Sequence, residues 1–365
     1  MMEIRAEKDV LVEIGQAALR VVSPRITLPA LGGVKISSDN KRVTVSATDL
    51  EMFLHIEADW KVDGAGAMVV PGRLLGEILR SLPQGTVVIR SEGAEISIEA
   101  GRSQFSVSGY SPADFPEPPE IGEAGACQVV AKDLQTALRQ VVKAASPDEA
   151  RPVLTGVLWS LEGESLKLVA TDSYRLAVRE VAVKESPGEA KAIIPGRALA
   201  EFARQLSAGD EVATIELGEA QAALKCGPTR LVTRLIEGEF PNYRQLIPEK
   251  HPNMLTVPRE AFAEVVERVG IVAQTNTPVR LHLGDEIELT AIEAGVAEAS
   301  EVIEGASYEG EPMVMGFNPR FLHDGLEAIE TDTAKIELGD AHKPALIKGD
   351  GHDEYTYLLM PVRLP

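Results

Sequence analysis

The residues best able to do chemistry form one run, "GDGHDE" at 349–354, where Asp350, His352, Asp353 and Glu354 lie almost side by side. Carboxylates beside a histidine can ligate a divalent cation. These sit in a Gly-rich turn ahead of an alternating apolar segment, the pattern of a solvated hairpin, so no metal is expected. The tripeptide Ala-Thr-Asp occurs twice, at 47–49 and 170–172. An enzyme rarely needs the same acid at matching places in two domains. Asp49 and Asp172 are therefore expected to organise turns by accepting backbone hydrogen bonds. G-x-x-x-x-G-K-S/T, H-E-x-x-H and C-x-x-C are all absent, and the six histidines are scattered. Cys127 and Cys226 have no metal-type spacing, and such sparse cysteine fits a reducing cytoplasm. No catalytic residue, metal or cofactor follows from these residues.

Composition narrows the remaining classes. A chain of 365 residues that is 44% hydrophobic predicts two or three domains with real cores. It has no apolar run of about 18 residues, so no membrane-spanning helix is expected. Its start, "MMEIRAEKDVLVEI", lacks a signal-peptide pattern. The net charge of -20 argues, taken whole, against a nucleic-acid binder. The charge is unevenly spread, however: -6 over residues 1–126, -1 over 127–250 and -13 over 251–365. Its placement therefore matters more than its sum.

The elements that position these residues are written three times. "VVPGRLLGEILRSL" at 69–82 returns as "IIPGRALAEFARQL" at 193–206 and more loosely as "GFNPRFLHDGLEAI" at 316–329. "VSATDLEMFLHI" at 45–56 returns as "LVATDSYRLAVR" at 168–179, and "ADFP" at 113–116 as "GEFP" at 238–241. Each unit is read as opening on a helix, with stripes Leu11, Ile14, Ala18, Val21; Leu134, Leu138, Val141, Ala145; and Phe262, Val265, Val269, Val272. A second helix carries Leu75, Leu79, Leu82; Leu199, Ala203, Leu206; and Leu322, Leu326, Ile329, with Pro71, Pro195 and Pro319 at the expected starts. The remainder alternates as strands do. The fold class is α+β: three repeated domains at 1–125, 126–252 and 253–365, each two helices packed on antiparallel sheet. Linkers are expected near 117–126 and 247–253. Arg73, Arg197 and Arg320 recur near helix starts, where a cation gains nothing from the helix dipole. Spacing alone leaves them either solvated or held toward an anionic partner.

The end of the chain, "YTYLLMPVRLP", is apolar almost throughout, whereas chain ends are usually polar. A buried final strand accounts for Tyr355 to Leu359. Pro361 should stop pairing and leave Met360 and Val362 free to face a ligand.

Together, "RPVLTGVLW", "LVATDSYRLAV", "EGEFPNY" and the terminal "LLMPVRL" make the whole chain resemble the bacterial sliding clamps, the beta subunits of DNA polymerase III. The resemblance implies a non-catalytic, head-to-tail homodimer forming a ring of six domains with helices inside, around duplex DNA. It implies cytoplasmic partners that carry a Gln-Leu-Phe-type clamp-binding peptide: the polymerase III catalytic subunit, the clamp loader and repair polymerases. Carried over by motif, the peptide pocket comprises Leu154, Thr155, Thr171, Ser173, Tyr174, Arg175, Leu176, Pro241, Leu246, Asn318, Phe321, Leu346, Leu359, Met360, Pro361, Val362 and Arg363. Ser173 and Tyr174 stand where Gly and His are common, Gln245 where Arg can occur, and Pro365 extends the usual end, which bears on peptide preference. The implied dimer contacts are Phe105, Ile271 and Val272. The cations on or near the predicted helices, which the resemblance turns toward DNA, are Arg20, Arg25, Arg73, Arg80, Lys132, Arg139, Lys143, Arg197 and Arg204.

Geometry bears on the ring independently. Twelve helices about 9 Å apart give a circle about 34 Å across at the helix axes and a hole of about 24 Å. A duplex is roughly 20 Å wide, whereas six helices would leave only about 7 Å. A ring-shaped scaffold that binds proteins without DNA is the alternative, and retention on circular but not linear DNA separates the two.

Overall fold

The computed structural model describes residues 1–22, 28–122, 125–184, 188–206, 209–248, 251–273 and 277–364. Six α-helices lie among them: α1 Lys8–Val21, α2 Gly72–Ser81, α3 Ala131–Val142, α4 Gly196–Gln205, α5 Arg259–Gly270 and α6 Pro319–Glu327. The repeats are plain in the element order. Each runs strand, helix, three strands, a further strand, helix, three strands; the first and third repeats each add one short strand.

Two expectations need correcting. Each repeat opens on a strand and not on a helix: Met2–Glu7, Gly125–Val130 and Asn253–Pro258. Met2, Ile4 and Ala6 are buried while their neighbours are not, the two-residue period of a half-buried strand. Gly125–Val130 begins inside the stretch read as a linker. Pro71 and Pro195 end the strands that precede α2 and α4, whereas Pro319 is the first residue of α6. The helical stripes hold in part: Ile14, Ala145 and Val272 are only half-buried, and Ala145, Val272, Leu82, Leu206 and Ile329 follow the ends of their helices. All nine apolar residues assigned to the second helices are buried, each buried Leu or Ile contributing about 1.5–3 kcal/mol.

The chain divides into two compact units, and neither coincides with a repeat. The first holds Met1–Gln135, Val183–Pro187 and Arg197–Leu235. It has a five-stranded sheet ordered Lys61–Asp63, Met2–Glu7, Thr86–Glu92, Glu95–Ala100, Ser103–Ser108. Its eight-stranded sheet runs Gly125–Val130, Val212–Leu217, Gln221–Cys226, Thr229–Arg234, Met52–Ala58, Val43–Thr48, Gly33–Ser38, Gly66–Pro71. At the middle of that sheet Thr229–Arg234, from the second repeat, pairs antiparallel with Met52–Ala58, from the first, with Leu231 opposite Leu54.

The second unit holds Thr136–Ala182, Gly188–Gly196 and Ile236–Pro365. Its nine-stranded sheet makes the same join one repeat further on. His352–Leu359 pairs antiparallel with Arg175–Ala182, Tyr357 opposite Ala177. A four-stranded sheet, Ala297–Val302, Glu288–Glu293, Val279–Leu283, Met313–Phe317, completes this unit. Backbone pairing therefore runs between repeats as continuously as within them, which is why the compact units cut across the repeats. α5 packs on α6 in this unit as α1 packs on α2 in the first.

Candidate functional site

Both Ala-Thr-Asp tripeptides form one kind of turn, as the repetition implied. Asp172 Oδ1 accepts from the backbone N–H of Tyr174 at 2.9 Å and of Arg175 at 3.0 Å. Thr171 Oγ1 donates to the Arg175 carbonyl at 2.7 Å and accepts from Ser173 N–H at 3.2 Å. These bonds hold Ser173 at a φ of 81°, in the left-handed region. They bury Arg175 and leave Tyr174 62% exposed.

Arg175 is the hub of the second unit. Its Nε donates to Asp172 Oδ2 at 3.1 Å, its Nη1 to Asp324 Oδ2 at 2.5 Å, and its Nη2 to the Lys143 carbonyl. The guanidinium also lies 4.3 Å from the centre of the Phe321 ring. Burial works against this charge, but Tyr357, Asp324 and Asp172 outweigh it and hold the pKa above the ordinary arginine value. Phe321 in turn lies near the exposed Tyr174 ring, centroids 6.4 Å apart and planes at 29°. Asn318 fixes the start of α6, its Oδ1 accepting from Arg320 N–H at 3.0 Å and Phe321 N–H at 3.2 Å. Tyr357 Oη donates to the Phe321 carbonyl at 2.9 Å. The tyrosine ring reaches this position because Gly325 has no side chain; a Cβ there would stand 2.6 Å from it.

The chain end is tied down on both sides of Pro361. Met360 N–H donates to the Tyr174 carbonyl at 2.9 Å, and Val362 N–H to the Gly316 carbonyl at 2.8 Å. Pairing thus resumes for one bridge after the proline instead of stopping there, a correction to the sequence reading. Gly316 permits it, since a Cβ would meet the Val362 carbonyl oxygen at 2.6 Å. The side chains of Met360 and Val362 stay open to solvent, 39% and 38% exposed. With Pro361, Arg363, Ala341 and His342 they line a cavity of about 470 Å³.

The remaining pocket residues divide by depth. Leu176 and Leu346 are buried in one core cluster with Val169, Tyr243 and Leu358, and Leu359 is fully buried. Leu154 and Thr171 are buried as well, and Thr155 is half-buried with its Oγ1 donating to the Pro152 carbonyl. Pro241, Leu246 and Arg363 are exposed. Sequence reading missed Ala341 and His342, which no periodicity marks, and the Arg175 partners Asp324 and Tyr357. It also missed Arg151, whose Nη1 donates to Ser173 Oγ at 3.1 Å. Pro365 lies outside the described residues.

Of the candidate cations, Arg25 also lies outside the described residues. Arg20 is in the last turn of α1, Arg73 and Arg80 on α2, Lys132 and Arg139 on α3, Lys143 directly after it, and Arg197 and Arg204 on α4. Arg20, Arg73, Lys143, Arg197 and Arg204 are ion-paired; Arg80, Lys132 and Arg139 are exposed and make no ion pair among the described residues. Phe105 lies on the edge strand Ser103–Ser108. Ile271 is 80% exposed and Val272 half-buried.

The other chemical candidates resolve simply. "GDGHDE" is a hairpin turn in which two of the three acids are engaged: Asp350 by Lys335 at 2.6 Å, Glu354 by His352 at 2.8 Å and Arg179 at 3.4 Å. His323, Asp324 and Glu327 also stand close together, but Asp324 and Glu327 hold Lys143 and Asp324 holds Arg175. Both cysteines are buried, and burial pushes the Cys127 thiol up to about 11, which makes it a poor nucleophile.

A threefold α+β repeat of this kind, six helices with antiparallel sheets, is the architecture of the replication clamps. Profiles of the DNA polymerase III beta subunit match its N-terminal domain to residues 2–119, its central domain to 128–242 and its C-terminal domain to 244–363. The chain is 35% identical to the beta sliding clamp of Streptomyces coelicolor and 32% to that of Staphylococcus aureus, with all of both chains covered each time. The crystal structure of the Bacillus subtilis DNA polymerase sliding clamp superposes with a TM-score of 0.89 at 29% identity, again covering all of both chains. The chain belongs to the DNA polymerase III beta subunit family, the beta sliding clamps, and is a processivity subunit with no catalytic activity of its own.

Proposed function

We propose that two copies of this chain join head to tail into a closed ring that encircles duplex DNA, and that each copy tethers replication and repair proteins through the cleft at its C-terminal end. One observation carries the ring. The chain makes the same strand join twice, Met52–Ala58 with Thr229–Arg234 and Arg175–Ala182 with His352–Leu359. By element order the third join would pair Ala297–Val302 with Ser103–Ser108, and each of these strands is the edge of its sheet. A second copy supplies the missing strand at each edge, and two such joins close the assembly. The three domains of this reading are 1–125, 126–252 and 253–365.

Ile271 supports the same interface. α3 and α5 are of equal length and 128 residues apart, so Ile271 occupies the position of Lys143, an apolar residue standing exposed where the joins within the chain carry a cation. Phe105 and Val272 join it there. Replacing Ile271 and Val272 with aspartate should give monomers by light scattering.

The candidate cations contact phosphate, which carries no sequence information and so permits sliding. The cleft of Met360, Pro361 and Val362, with Tyr174 and Phe321 beside it, takes the Gln-Leu-Phe-type peptide of the polymerase catalytic subunit, the clamp loader and repair polymerases. Exposed, flexible Met360 suits a site with several related ligands. Among the described residues no helix is long and apolar enough to cross a membrane, in keeping with a cytoplasmic role on DNA. The test is retention after loading with a clamp loader. The protein should stay on nicked circular DNA, slide off linear DNA and show no preference among sequences. Equal loss from both forms, with peptide binding intact, would favour a protein-only scaffold.

A further inference from the structure

Arg20 and Lys143 are 123 residues apart, and so are Glu201 and Asp324. The structure joins these residues in the same way twice. In the first unit Arg20 makes a two-pronged bond to Glu201, Nε to Oε2 at 2.8 Å and Nη2 to Oε1 at 2.9 Å. In the second, Lys143 Nζ lies 3.8 Å from Asp324 and 2.6 Å from Glu327, one turn further along α6. Each time a half-exposed cation at the end of one repeat's first helix is held by acids on the next repeat's second helix.

The acids are built to let that cation go. Glu201 is nearly buried, and besides Arg20 it accepts from Arg204 Nη1 at 3.1 Å and Gln205 Nε2 at 2.9 Å. Asp324 keeps Arg175 at 2.5 Å. Neither buried Glu201 nor partly buried Asp324 would be left without a positive partner if Arg20 or Lys143 swung away, so the usual cost of an unpaired charge out of water does not arise. Glu327 is more exposed and returns to water. Its pKa lies below the ordinary carboxylate value because of the Lys143 hydrogen bond, so it stays ionised at neutral pH.

We propose that Glu201, and Asp324 with Glu327, are tethered counterions that hold Arg20 and Lys143 in the DNA-free protein and exchange them for phosphate. The inference rests on the reading of these cations as DNA contacts. Exchange of one anion for another releases less free energy than neutralising a bare cation. The grip on the duplex is thereby weakened where it would otherwise impede sliding. The acids therefore set how tightly, and with what salt dependence, the protein holds DNA.

The experiment is binding of a short fluorescent linear duplex by anisotropy between 50 and 200 mM salt. The proteins are the unmodified chain, Glu327→Gln, Glu201→Gln, Lys143→Met and the pair Lys143→Met with Glu327→Gln. Removing the acid's competition should steepen the log–log salt slope by up to about 0.9, equivalent at that limit to about 3.5-fold tighter binding at 50 mM once affinities are matched at 200 mM. Glu327→Gln should show this, and the gain should vanish in the Lys143→Met background. Glu327 is solvent-accessible, so its variant stays informative even if Glu201→Gln fails to fold. A folded Glu327→Gln protein with unchanged slope and affinity, or with the same gain whether or not Lys143 is present, overturns the proposal. If the unmodified protein shows no salt-weakened duplex binding, the DNA reading itself fails and this inference falls with it.

Discussion

The turn at Thr48–Met52 and the turn at Thr171–Arg175 have nearly one backbone and different roles. Their four shared hydrogen bonds differ by no more than 0.2 Å. Leu50 at a φ of 76° stands where Ser173 stands at 81°. The difference lies in the fifth residue. Met52 is a buried apolar side chain, whereas Arg175 is a buried cation. In the first turn the spare oxygen of Asp49 is left for Arg197 of α4. In the second, Arg175 takes the spare oxygen of Asp172, and Arg320, the residue corresponding to Arg197, makes no ion pair among the described residues. One Met-to-Arg difference thus redirects an acid from a surface arginine to an internal one. It also sets a guanidinium against the ring of Phe321. The turn is a fold device; the residue that ends it decides which charges are held beneath it.

Removing the internal cation should have the largest effect. Arg175→Met leaves Asp172 without its ion-pair partner and removes a partner from Asp324, which should destabilise the protein by about 3–5 kcal/mol in urea unfolding. Peptide binding, read by calorimetry, should weaken with it. A variant as stable as the parent would show that the arginine is not the support of the second turn.

The two corresponding surface arginines should then separate. Arg197→Ala strips a buried carboxylate of its cation and should cost about 1–3 kcal/mol. Arg320→Ala removes an unpaired surface charge and should change stability by less than about 0.5 kcal/mol. Equal costs would mean that the acids are not redirected as the geometry indicates.

The smallest effect concerns the left-handed residues. Leu50→Gly relieves a strained backbone and should stabilise by about 1 kcal/mol. Ser173→Gly should gain less, because it also loses the bond from Arg151. A larger gain at 173 would reverse that ranking of strain against side-chain bonding.

Much of this was legible in the chain itself. The repeats, the helical stripes and the turn-forming role of Asp49 and Asp172 are local patterns, and the resemblance they carry led to the family. Helices are fixed by a 3.6-residue period and Asx turns by contacts three residues apart, so neighbouring residues alone determine them. The opening strands were equally local in signal, as Met2, Ile4 and Ala6 attest, but their two-residue period, only six residues long, was overshadowed by the longer helix pattern that follows.

Only the tertiary structure decided the rest. That Arg175 would meet Asp324, 149 residues away, depends on how strands of two repeats pair, and no pattern in either segment encodes it. The same holds for Arg20 and Glu201, 181 residues apart, and for Val362 bridging to Gly316 after a proline that should have ended pairing. The repeats read as domains, yet the sheets run through their boundaries and the compact units follow the sheets. The reason is physical. A strand's own sequence fixes which of its faces is buried, but its edges offer the same backbone N–H and C=O groups to any partner. The pairing is chosen by the whole fold, and it is the pairing that brings the distant charges together.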